Sequence, residues 1–96
     1  VLNKEVFNII DLVQNVFDLL EMKAAKRKIT LTFDKVYQEP IYVFADKERI
    51  QQALTNLIVN SIKYGREKGT MLFQSSNSCE YFKLCDEIIN LEEISL

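Results

Sequence analysis

Apolar positions along the chain fall into two long stretches of helical period and several short runs of strand period. Ile9, Leu12, Val13, Val16, Phe17, Leu20 and Ala24 recur at i, i+3, i+4 spacing, which predicts an amphipathic helix with one buried stripe. Asn8 stands before it as the N-cap, and Asp11 supplies an acid in its first turn. Lys23, Lys26, Arg27 and Lys28 put positive charge at its negative C-terminal end; the cluster fits an acidic partner, and fits better plain helix-end complementarity on a solvated face. Ile50, Ala53, Leu54, Leu57, Ile58 and Ile62 predict a second helix, capped by Asp46 and stopped by Gly65. Shorter runs at 4–7, 29–34, 41–44 and 70–74 read as strands. The second and third are close in sequence, with Pro40 between them, and suggest a hairpin. Two helices and a hairpin, each apolar on one side, are most simply satisfied by a two-layer α/β sandwich.

Composition narrows the function classes. Ninety-six residues, 48% of them apolar, allow one small domain. Twelve basic against 14 acidic side chains, evenly spread, argue against a nucleic-acid-binding domain, which would show a basic stripe. The chain has no histidine, so it carries no imidazole base, no histidine metal ligand and no histidine phosphoacceptor. Cys79 and Cys85 form no CxxC, which speaks against zinc. Within one strand they would lie about 20 Å apart, beyond disulfide reach. Reduced thiols in a cytoplasmic protein follow. No apolar run approaches the roughly 20 residues of a membrane span. Starting at Val1 without Met, the chain reads as a piece of something longer.

The informative chemistry lies on the polar side of the second helix. At about 100° per residue, Asn60 lies about 40° from Asn56 and Lys63 about 20° from it on the other side. Leu54, Leu57 and Ile58 point well away. Two amides and an ammonium therefore share one strip, ending in Tyr64. Amide oxygens are hard neutral ligands suited to Mg²⁺. Lysine offers a mobile positive point for phosphate, and tyrosine a flat face and a hydroxyl. On residue types alone, the strip equally fits an ordinary solvated helix face.

The run from Asp46-Lys47-Glu48-Arg49-Ile50 to Asn56-Leu57-Ile58-Val59-Asn60-Ser61-Ile62-Lys63-Tyr64-Gly65 resembles the N box of sensor histidine kinases. The family pattern there is an aspartate, a helix with Arg-Ile, then Asn-Leu-x-x-Asn-Ala-x-Lys-Tyr; only Ser61 differs. The upstream order also matches: strand, long helix with a basic end, hairpin with an apolar run, aspartate. The similarity covers about residues 4–73. It implies a single, partial ATP-binding domain of α+β class, a two-layer sandwich of the histidine-kinase, gyrase and chaperone ATPase type, with two main helices on a mixed sheet. It further implies that Asn60 is the Mg²⁺ ligand, that Asn56 and Lys63 hold phosphate, and that Tyr64 lies near the ribose or phosphates. Related ATPases place a glutamate base where Asn56 stands. An amide cannot take a proton from water, which fits a domain that presents ATP rather than hydrolysing it. The parent's γ-phosphoryl would pass to a histidine on a separate dimerisation domain, then to a response regulator. Such a protein would be the cytoplasmic part of a membrane-anchored sensor.

After Phe73 the family pattern fades. The expected Asp-x-Gly-x-Gly, lid and second glycine box are not legible. Residues 82–91 can be laid on the first of these with Asp86 as the adenine aspartate, but Ile88 and Asn90 then stand at the glycine positions. Tyr81, Leu84, Cys85, Ile88 and Ile89 also fit a helix over about 80–94, whereas Phe82 and Leu84 fit a strand. Family order favours a strand near 79–85 with a helical end. Residues 74–96 carry one lysine and five acids, which would repel a triphosphate. A truncated or frameshifted domain accounts for this break in pattern. Two functions remain: the nucleotide-binding part of a kinase, with weak binding at most by this chain alone and no autophosphorylation, or a degenerate module for protein contact. An incomplete sheet would leave an exposed edge for homodimerisation.

Overall fold

The computed structural model describes residues 3–64, 70–75, 81–84 and 87–90. The element order is β1 (Lys4–Asn8), α1 (Ile9–Lys26), β2 (Thr30–Phe33), β3 (Tyr42–Asp46), α2 (Lys47–Tyr64), β4 (Thr70–Ser75), β5 (Tyr81–Leu84) and β6 (Glu87–Asn90). The two helices pack on each other and on strands, giving an α+β architecture.

Local chemistry explains both helix starts. Asn8 has extended backbone angles, and its Oδ1 accepts from the Ile10 amide at 3.1 Å. The same oxygen accepts from Ile41 N at 3.1 Å, so the cap also ties α1 to the entry of β3. Asp46 ends β3 and caps α2, its Oδ1 accepting from Arg49 N at 3.2 Å. All seven apolar positions predicted for α1 are buried. On α2, Ile50, Leu54, Ile58 and Ile62 are buried, while Ala53 and Leu57 are only partly covered.

The end of α1 is a Schellman turn. Ile29 N donates to Ala24 O at 2.9 Å, and Lys28 N to Ala25 O at 2.9 Å. Ile29 and Ala24 are both buried, as suits the apolar pair that commonly accompanies this turn. The left-handed position falls on Lys28, at φ 59°, where a side chain is disfavoured. Lys28→Gly is therefore expected to stabilise the fold by about 1 kcal/mol, read as a higher urea midpoint at unchanged m-value. An unchanged or lowered midpoint would contradict that account.

The strand pairing differs from expectation. β2 and β3 form no hairpin. β3 pairs antiparallel with β1, Val6 opposite Phe44 and Phe7 opposite Val43, as a two-stranded sheet. β2 instead pairs in parallel with β4, Leu31 opposite Met71 and Phe33 opposite Phe73. The reason lies in the connections. β1 and β3 each run directly into a helix, and β2 and β4 each follow one, so strands with equivalent places relative to the helices become neighbours. Two further bonds fix the choice: Ile9 N to Ile41 O at 2.9 Å, and Asp34 N to Phe73 O at 3.0 Å. The second sheet continues antiparallel as β2-β4-β5-β6 and is mixed, as expected.

The tail also corrects the helical reading. Residues 87–90 are a strand paired with β5, Phe82 opposite Ile89 and Lys83 opposite Ile88. A short apolar run fits both periods, and a strand partner beside β4 decides between them. The expected strand near 79–85 is present as β5. Cys79, Cys85 and Asp86, and Gly65 as helix stop, lie outside the described residues.

The core lies between the helices and both sheets. Phe17 of α1 meets Phe33 of β2 with ring centroids 5.4 Å apart, and Phe33 meets Phe73 of β4 at 5.6 Å, edge to face. Val43 and Ala45 face inward from β3, whereas Tyr42 and Phe44 face out. Among the described residues no helix is long and apolar enough to cross a membrane.

Candidate functional site on the exposed strip of the second helix

Helix α2 is held on three sides. Its buried stripe faces the core, its first turn is capped by Asp46, and its last turn is clasped from α1. Asp46 is 6% exposed; it accepts from Asn3 N at 3.2 Å and lies 3.7 Å from Arg49 Nε. Thr55 Oγ1 donates back to Gln51 O at 2.8 Å, one turn earlier.

With the helix so fixed, Asn56, Asn60, Lys63 and Tyr64 are all exposed on its outer side, Tyr64 to 84%. Among the described residues none of the four side chains has a hydrogen bond or ion pair, leaving their donors and acceptors available. The strip predicted from spacing thus exists as an exposed ridge. Of the site residues expected from sequence, Asp86 is the one whose place is not described.

The donor set fits a metal that arrives with its own ligands. Among the described residues no three His, Cys, Asp or Glu side chains group to hold an ion. Asparagine oxygens on an exposed ridge supply one or two hard contacts and leave the other positions to phosphate oxygens and water, the coordination Mg²⁺ prefers. Lys63, at the same end of the helix, adds a mobile positive charge.

Arg27, expected on a solvated face, is partly buried. Its Nη1 instead donates to Ile62 O, and to Lys63 O at 2.5 Å, joining the C-terminal ends of the two helices. The contact spans 36 positions, and no local spacing rule reports it. Described residues line at least two concavities. One, of about 280 Å³, lies along α1 and β2 beside Phe17 and Leu31; the other, of about 450 Å³, is walled by Ile10, Phe33, Val36 and Tyr37. Neither includes the strip.

No protein-family model matches the chain. It is 41% identical over 63 residues to the adaptive-response sensory kinase SasA of a Synechocystis species, covering 66% of this chain and 16% of that protein. It is 32% identical over 83 residues to the sensor histidine kinase YkoH of Bacillus subtilis, covering 77% of this chain and 18% of that one. Among solved structures, the catalytic domain of histidine kinase ThkA in a nucleotide-free form superposes with a TM-score of 0.70 at 31% identity, covering 85% of this chain and 56% of that one. The same kinase in complex with the response regulator TrrA gives a TM-score of 0.71 at 30% identity, covering 86% of this chain and 25% of the kinase chain. The chain thus spans less than a fifth of these curated relatives.

Proposed function

Because the chain belongs to the sensor histidine kinases, within their catalytic domain, we propose that it forms the N-box part of a nucleotide-binding domain in a two-component kinase. In the parent, the domain presents Mg-ATP to a histidine on a separate dimerisation domain, from which the phosphoryl group passes to a response regulator. The observation that carries this reading is the ridge of Asn56, Asn60, Lys63 and Tyr64, exposed along a helix whose stripe of Ile50, Leu54, Ile58 and Ile62 is buried in the core.

The roles are those the family resemblance implies, and the chemistry of each residue suits its role. Asn60 contributes a carboxamide oxygen to Mg²⁺. Asn56 orients phosphate through its amide, and Lys63 offsets phosphate charge. Tyr64 supplies a face and a hydroxyl beside the ribose or phosphates, and Asp86 meets the adenine. Bound Mg²⁺ would neutralise the triphosphate and align it for transfer. With no histidine, this chain offers no phosphoacceptor of the family's kind.

A thermal melt with ADP, with and without Mg²⁺, tests the proposal. Ligand at about 100 times its dissociation constant adds about 2.7 kcal/mol to stability. The expected result is a rise in melting temperature that needs millimolar nucleotide and disappears when Mg²⁺ is chelated. No shift at millimolar nucleotide would sink the reading. It would favour the alternative, a protein-contact module that dimerises, for which Val6, Tyr42 and Phe44 stand exposed together on the outer face of the β1–β3 sheet.

A further inference from the structure

We infer that Arg27 is a positioning residue for the phosphate-side end of the site, acting through the last turn of α2; this rests on the nucleotide reading above. The last four carbonyls of a helix have no partner within it. Arg27 takes two of them, those of Ile62 and Lys63, with a single guanidinium nitrogen. Lys63 and Tyr64 belong to the turn so clasped.

The clasp is itself rigidly mounted. The Arg27 amide donates to Ala24 O at 3.0 Å, and the left-handed Lys28 that follows turns the chain directly toward β2. Ile29 then anchors in the core at 6% exposure. The guanidinium therefore reaches α2 from a backbone fixed on both sides, and links the end of α1 to the turn that carries Lys63.

Electrostatics gives the contact a second consequence. A helix C-terminus carries roughly half a negative charge. A triphosphate brought to the Lys63 end of α2 meets that charge. Arg27 sits on the carbonyls that generate it, so its cation reduces the repulsion where phosphate would bind. Lysine in its place would keep the charge and a nitrogen able to meet two carbonyls, but its ammonium sits one bond nearer the backbone than Nη1 and on a flexible stem.

The test uses the whole 96-residue chain in an NMR titration with Mg-ADP, together with hydrogen exchange of the Lys63 and Tyr64 amides. Arg27→Ala is expected to weaken Mg-ADP about tenfold and to speed exchange at those two amides while Gln51 to Asn56 keep their protection. Arg27→Lys is expected to recover less than half of the lost affinity on a logarithmic scale. Ile9→Val, a core change at the far end of α1, lowers stability without touching the clasp, serves as the control and is expected to keep wild-type affinity. Wild-type affinity in Arg27→Ala, or an equal fall in Ile9→Val, overturns the inference. A wild-type chain that does not titrate removes the nucleotide reading and the positioning role together. A titrating wild-type chain with an unaffected Arg27→Ala variant removes the positioning role alone.

Discussion

Phe73→Ala is expected to destabilise the fold by about 3–5 kcal/mol, the range for truncating a buried aromatic side chain. Phe73 is fully buried. Its ring meets Phe33 at 5.6 Å and Tyr37 at 6.2 Å, and its carbonyl accepts from Asp34 N at 3.0 Å. The residue therefore ties β4 to β2, and through Phe33 to Phe17 of α1. Domains of this length have roughly 5–14 kcal/mol of total stability, so a loss of that size leaves the variant marginal or unfolded. Phe44, 68% exposed on the outer face of β3, provides the contrast: Phe44→Ala is expected to change stability by less than about 0.5 kcal/mol. Urea midpoints of the two variants check this. A loss below about 1 kcal/mol for Phe73→Ala would show that β4 does not close the core.

Under the nucleotide reading, Asn60→Ala is expected to remove the Mg²⁺ dependence of nucleotide binding. The carboxamide oxygen is the metal contact proposed for this chain, and alanine has none to offer. Because the side chain is exposed and has no hydrogen bond among the described residues, its loss leaves the core untouched, and stability without ligand is expected to stay within about 0.5 kcal/mol. With Mg-ADP the variant is expected to bind at least about tenfold more weakly, on the order of 1.4 kcal/mol. Paired melts with Mg²⁺ and with a chelator separate the two quantities. A Mg²⁺ effect as large as that of the wild-type chain would refute the role given to Asn60.

How much of this was legible before the structure depends on the range of each interaction. Both helices were readable because Ile9 to Ala24 and Ile50 to Ile62 repeat a local period over roughly four turns each, and because Asn8 and Asp46 cap within two or three residues. The ridge on α2 was readable for the same reason, since helical geometry alone places Asn56, Asn60 and Lys63 on one side. Strand partners were not. Nothing in residues 30–33 distinguishes a partner at 42–46 from one at 70–75, and nearness in sequence pointed to the wrong one. The pairing is settled by where each strand stands relative to its helix, a property of the whole chain. The end of the tail misled because Tyr81, Leu84, Ile88 and Ile89 satisfy a helical period by chance, while pairing with β5 outweighs it. Arg27 escaped because its partner carbonyls lie on another helix. The available local signal, basic charge at the end of α1, had a sufficient explanation in that helix's own dipole.

The account turns on whether the outer ridge of α2 meets a metal–nucleotide complex, and paramagnetic NMR with Mn²⁺ in place of Mg²⁺ asks this directly. Mn²⁺ accepts the same oxygen ligands and broadens signals steeply with proximity. With ADP and substoichiometric Mn²⁺, the side-chain amide of Asn60 is expected to broaden first and that of Asn56 next, while Asn15 on α1 stays sharp. Sharp Asn60 and Asn56 signals, or broadening of Asn15 at the same concentration, would contradict the account.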